Sequence, residues 1–98
     1  MEKGRPHTPL PLVQALVSSG RVRTTRSARE GAVAVGMGLD DMLDVLSALT
    51  PADFHKSMTT HADHTIWQDV YRPGYRFGAL YVKLTVIDDL LIVSFKEL

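Results

Sequence analysis

The residues with the greatest capacity for chemistry lie between Phe54 and Pro73, in the stretch FHKSMTTHADHTIWQDVYRP. It holds His55, His61 and His64, the cations Lys56 and Arg72, and the aromatics Trp67 and Tyr71. Such a set could ligate a metal, transfer protons, or simply form a polar sheet face. The histidine spacing, H-x5-H-x2-H, matches no standard zinc pattern, and Asp63 and Asp69 complete no familiar ligand triad. The chain has no cysteine, so thiolate sites and disulfides are excluded and no metal site is expected. Ser57 and Ser94 lack the surroundings of a nucleophile elbow, and Gly36-Met37-Gly38 lacks the lysine of a phosphate-cradling loop. Acid–base chemistry on RNA asks for less. The ribose 2′-OH is an internal nucleophile, so a protein must accept its proton, protonate the departing 5′-oxygen and neutralise the phosphate. Lys, Arg, Tyr and His suffice without a cofactor, and aromatics among cations can stack unpaired bases.

Positioning these residues requires particular elements. Thr8-Pro9 reads as cap and first turn of a helix with an apolar stripe of Leu12, Val13, Leu16 and Val17, closed at Gly20. Residues 21–25 read as extended. A second helix is expected over Ser27–Val35, and a third is expected to be capped by Asp40, with Met42, Leu43, Leu46 and Leu49 inward. Thr50-Pro51-Ala52-Asp53 resembles a capping box. Strand formers then dominate, giving strands over Phe54–Thr60, Ile66–Arg72, Ala79–Ile87 and Leu90–Phe95, with a turn at Pro73-Gly74. Helices within 9–53 followed by antiparallel strands within 54–97 describe an α+β class. A two-residue Asp88-Asp89 turn in the last hairpin would pair Val86 with Leu91, Leu84 with Val93 and Val82 with Phe95. On the other face, Lys83 then lies beside Ser94 and Tyr81 beside Lys96, placing a phenol against an ammonium. A plain cross-strand packing pair explains that juxtaposition equally well. In Phe54–Thr60, strict alternation puts Phe54, Lys56 and Met58 on one face, and neither face is plainly core.

The 98 residues suit one domain spanning 1–98, and the 45% hydrophobic and 22% charged composition is that of a globular chain. Zero net charge argues mildly against a nucleic-acid binder. Its distribution is uneven, however: residues 1–30 balance at +4 and residues 31–54 at −4, so separate basic and acidic surfaces are possible, as are ordinary solvated helix faces. No signal peptide or membrane-length apolar run is evident, and a cytoplasmic location is expected.

The block from Lys56 to Pro73, with MEK-x-x-PHT at the start, GRVRTTRSA at residues 20–28, LYVKLTVI at 80–87 and LIVSFKE near the end, resembles the MqsR family of messenger-RNA interferase toxins. The resemblance spans the chain and is weakest over residues 29–49. It implies a type II toxin of RelE-like fold, a curved antiparallel sheet packed on helices, that inhibits translation by cleaving messenger RNA at GC-containing triplets such as GCU. It further implies action without a metal and neutralisation by a cognate antitoxin. That partner would carry the zinc, in its toxin-contacting domain, and a helix-turn-helix domain, so that DNA is met only indirectly and no membrane is involved.

Carried over by matching context, the family's catalytic residues correspond to Lys56, Gln68, Tyr81 and Lys96, with Met58 and Arg72 as substrate contacts. His55 and His61 stand where tyrosines are expected, and Asp88 where a histidine is expected. His55 adjoins Lys56 and is counted among the substrate contacts, although strand alternation points adjacent residues to opposite faces and so need not bring it into the site. The intact catalytic set favours an enzyme over the alternative, a non-catalytic module that grips a partner and acts through an antitoxin complex on transcription.

Overall fold

The computed structural model describes residues 1–98. Helix α1 (Leu10–Ser18) starts at Pro9, one residue later than Thr8-Pro9 suggests, because Pro11 also fits the donor-free first turn. The chain leaves it through Gly20, whose φ of 74° is one that a Cβ disfavours. Helix α2 (Arg26–Ala34) is capped by Thr25, whose hydroxyl accepts from Ala28 N at 3.0 Å. Helix α3 (Leu39–Ser47) is not capped by Asp40. Gly38 takes that position, and Asp41 reaches back to accept from Gly38 N at 2.9 Å. Asp53 likewise accepts from Thr50 N at 2.8 Å around the short 3-10 turn Pro51–Asp53, as the capping-box pattern anticipates. Much of the acidic cluster is thus spent on helix ends.

The strands are β1 (Glu2–Lys3), β2 (Val22–Thr24), β3 (Phe54–Thr59), β4 (Trp67–Tyr71), β5 (Gly74–Tyr75), β6 (Gly78–Ile87) and β7 (Asp89–Glu97). The main sheet runs in the order β1-β3-β4-β6-β7-β2, with β5 paired to β6. The α+β class holds, but the sheet is mixed, not antiparallel throughout: β2 pairs parallel with β7. The extended residues after α1 are this strand. Pro73-Gly74 leads into β5 rather than forming a bare turn.

One sheet face meets the helices. Val13 and Leu16 of α1, Ala28 and Ala32 of α2, and Met42 and Leu46 of α3 form one cluster with Tyr71, Leu80, Val82, Leu84, Leu90, Ile92 and Phe95. At this density about 25 cal/mol per Å² of buried apolar surface drives the docking. Small residues let α2 approach closely: a Cβ on Gly31 would lie 3.1 Å from the Phe95 carbonyl carbon and 3.2 Å from Lys96 Cβ. Leu43, expected inward, is only half-buried. No helix is long and apolar enough to cross a membrane.

Candidate active site

The final hairpin differs from its sequence reading in two places that offset each other. The turn is a single residue, Asp88, at φ 63°, and Ile87 pairs with Asp89. Val86 therefore faces Leu90, Thr85 faces Leu91 and Leu84 faces Ile92. The core side of β7 near the turn is Leu90 and Ile92, not Leu91 and Val93. A bulge between the Leu84–Ile92 and Lys83–Ser94 pairs then absorbs Val93 and restores the expected pairs Val82–Phe95, Lys83–Ser94 and Tyr81–Lys96. The Lys96 ammonium sits 5.3 Å from the centroid of the Tyr81 ring. The freed Val93 carbonyl accepts from the Thr25 hydroxyl at 2.8 Å, tying the start of α2 to the bulge.

A second bulge settles the faces of β3. Phe54 pairs with Tyr71 and Lys56 with Val70, so His55 is the extra residue between them. Phe54 packs against the core, with its ring edge-on to Tyr71 at 5.5 Å, while Lys56 and Met58 emerge on the opposite face. That face contributes nothing to the core cluster. Three rows of side chains cross it. One joins Met58 to Gln68. The next runs Lys56, Val70, Lys83, Ser94. The third pairs Tyr81 with Lys96, and Arg72, one residue beyond the Tyr71–Val82 pair, lies at its β4 end. Rows are about 7 Å apart and neighbouring strands about 4.8 Å apart. The structure therefore brings Lys56, Met58, Gln68, Tyr81 and Lys96 onto one face, with exposed Arg72 at its margin and exposed His55 at the adjoining bulge.

The face is electropositive. Glu2 of β1, opposite Met58 in register, is the carboxylate it holds, and its Oε1 lies 3.3 Å from Lys56 Nζ. Lys83 and Lys96 enter no ion pair; the remaining pairs, Arg21–Asp89 and Arg26–Glu30, lie elsewhere. Burial, then the charge of Lys96, push the Lys83 ammonium below the usual lysine range. Lys83 is the residue that sequence reasoning left out of the site. Its place beside Ser94 was legible, but nothing along one strand shows that it stands between Lys56 and Lys96.

Two features of the Phe54–Pro73 stretch lie elsewhere. Trp67 points to the helix side, where His7 stacks on it at 5.5 Å and Lys3 Nζ sits 4.0 Å above the ring, so it offers no stacking surface on the open face. Asp69 is buried on that side and accepts from the backbone N–H of His7 at 3.0 Å and of Thr8 at 2.9 Å. The histidines do not assemble with carboxylates into any group of three potential metal ligands. Asp63, between His61 and His64, instead closes its own loop, accepting from Thr65 N at 2.8 Å and Thr65 Oγ1 at 2.6 Å. Those bonds hold its carboxyl below the usual range.

A helix-backed mixed sheet whose open face carries lysines and a Tyr–Lys pair defines an α+β protein with groups of the kind that can attract anions and transfer protons. The profile of the family described as "Motility quorum-sensing regulator, toxin of MqsA" matches residues 5–97, and the chain belongs to that family. It is 58% identical over 97 residues, 99% of each chain, to the protein of Escherichia coli (strain K12) named "mRNA interferase toxin MqsR".

Proposed function

We propose that the protein is a RelE-like endoribonuclease toxin that cleaves messenger RNA on the open sheet face and is neutralised by a cognate antitoxin. The observation that carries the reading is the gathering of Lys56, Gln68, Tyr81 and Lys96 on one face outside the core. The relative's name, an mRNA interferase toxin, supports the substrate, and the family description, toxin of MqsA, supports the antitoxin.

In this reading the 2′-oxygen attacks the adjacent phosphorus, the P–O5′ bond breaks, and a 2′,3′-cyclic phosphate and a 5′-OH result. Tyr81 or Lys56 accepts the 2′-OH proton, and the other of the two donates a proton to the departing 5′-oxygen. Lys96 and Arg72 stabilise the charge that builds on the non-bridging oxygens, and Gln68 donates to the phosphate or a base edge. Met58 packs against a base beside Gln68, and His55 lines the approach at the bulge. Cleavage is favoured at GC-containing triplets such as GCU and needs no cofactor. The antitoxin is of the zinc-binding, helix-turn-helix type, and both partners act in the cytoplasm.

Antitoxin-free protein incubated in EDTA with a defined single-stranded RNA bearing GCU and scrambled triplets tests this. Mapped ends should fall at the GC-containing triplets. Lys56→Ala and Tyr81→Phe, still folded, should each lose on the order of 100-fold or more in rate. No cleavage by wild type, or wild-type rates in both variants, would return the protein to the partner-binding alternative.

A further inference from the structure

Lys83 has the most central position on the open face. It lies in β6, flanked on both sides by paired strands, with Val70 and Ser94 as its row neighbours. Lys56 stands two strands away in the same row, a Cα separation of about 10 Å. Tyr81 is the next residue on the same face of β6, and Lys96 lies diagonally across the hairpin. Val70, though it points to this face, is fully buried, as it would be beneath the methylene stems of its two lysine neighbours. Lys83 is half-buried, and its ammonium makes neither a hydrogen bond nor an ion pair.

An ammonium drawn partly out of water beside a like charge is unfavourable unless an anion joins it. Nothing within this part of the face supplies one. The two unpaired ammoniums, Lys83 and Lys96, flank Tyr81, so an anion with two separated oxygens could bridge them directly over the phenol. A phosphodiester has that form. We propose that Lys83 is a further catalytic residue, which with Lys96 holds the non-bridging oxygens of the scissile phosphate over Tyr81. The inference rests on the ribonuclease reading. Lys83 keeps its protons throughout: the 2′-O–P bond forms, the P–O5′ bond breaks, the 2′ proton passes to one of Tyr81 and Lys56, and the other protonates the 5′-oxygen. Lys83 supplies positive charge that strengthens its hold as charge accumulates on the phosphorane. Burial and Lys96 depress its proton affinity, and a bound phosphate reverses that shift by favouring the charged form.

The test compares Lys83→Met, which keeps the stem and removes the charge, with Lys83→Arg, which keeps the charge. Each is checked by circular dichroism and thermal melting, and assayed beside wild type and Lys56→Ala on the same RNA. Lys83→Met should lose roughly 100-fold in kcat with a smaller change in KM. Lys83→Arg should stay within roughly tenfold of wild type and move the alkaline fall in kcat to higher pH, because its guanidinium does not deprotonate. A folded Lys83→Met with wild-type kcat would overturn the inference and leave the ribonuclease reading standing, provided Lys56→Ala is inactive. A Lys83→Arg as inactive as Lys83→Met would overturn a purely electrostatic role. A wild type that does not cleave would overturn both. An independent readout is NMR titration of the Lys83 side chain with and without a GCU oligonucleotide carrying 2′-deoxyribose at the cleaved position. The titration should move up on binding, and an unmoved Lys83 would sink the proposal.

Discussion

Gly31 joins the helix layer to the strand that carries Lys96 on the open face. It lies in α2 against Phe95, a core residue of β7, and beside Lys96, whose side chain reaches the open face. A Cβ built on Gly31 would overlap the Phe95 carbonyl oxygen, and would lie only 3.1 Å from its carbonyl carbon and 3.2 Å from Lys96 Cβ. The main obstacle is backbone, so no rotamer change relieves it. Gly31→Ala must push α2 from β7 by a displacement on the order of an ångström, enough to forfeit much of the dispersion contact along that seam. Overpacking of this kind costs about 1–3 kcal/mol, and a backbone clash belongs at the upper end. Against it stands a gain of about 1 kcal/mol in helix propensity. The net loss is about 2 kcal/mol, a fall in Tm of roughly 10–15 °C for a domain this small. Urea unfolding at 25 °C measures it, with Ala34→Gly on the exposed side of α2 as control for propensity alone. Cleavage by the folded fraction should fall as well, because Lys96 moves with Phe95. A Gly31→Ala protein within about 0.5 kcal/mol of wild type, or more stable, would refute the close packing of α2 on β7.

Three buried or strained groups give further outcomes. Burial, with a smaller contribution from Asp69, pushes the Tyr71 phenol up to about 12, while an unfolded chain ionises near 10. Stability should hold below pH 10 and decline by about 1.4 kcal/mol per unit as pH rises towards 12, and alkaline urea melts of Tyr71→Phe should lack that decline. Because the Tyr71 hydroxyl has no hydrogen-bond partner, the same substitution should cost less than about 1 kcal/mol at pH 7. Asp69→Asn leaves one of the two amides of His7 and Thr8 without an acceptor; the expected cost is about 1–3 kcal/mol, with faster hydrogen exchange at the amide left unpaired, and unchanged exchange at both would contradict the anchoring. Asp88→Gly relieves the positive φ and should raise stability by about 0.5–1 kcal/mol in thermal melts, whereas a loss would mean that the Asp88 side chain contributes to the turn.

The parts of the fold legible in the sequence were those governed by local rules. Helix periodicity located α1 and α3, and Thr50–Asp53 announced its own turn, whereas the pairing of Tyr81 with Lys96 matched its reading because the bulge at Val93 offset the misjudged turn. What escaped depended on non-local partners. Glu2-Lys3 has no strand signature, and becomes β1 because β3 offers an edge. Asp-Asp is a poor turn signal, so the one-residue turn and the compensating bulge were both hidden behind a register that agreed at its far end. His55 concealed the face of Lys56 for the same reason: a bulge changes parity without changing composition. Lys83 resembles any solvated lysine until the β4–β6 and β6–β7 ladders are laid side by side.

The bulge at Val93 also bears on how sequences of this length can drift. It is slack in the strand: an inserted or lost residue between the Asp88 turn and Ile92 can be taken up there by tightening or widening one irregular step. Beyond Ser94 there is no such reserve. One residue more or fewer between Ser94 and Lys96 would turn the lysine towards the helices and bring Phe95 or its neighbour onto the open face. Length variation in this hairpin should therefore gather on the turn side of Val93 and be purged on the other, leaving the spacing from Ser94 to Lys96 as the strand's invariant measure.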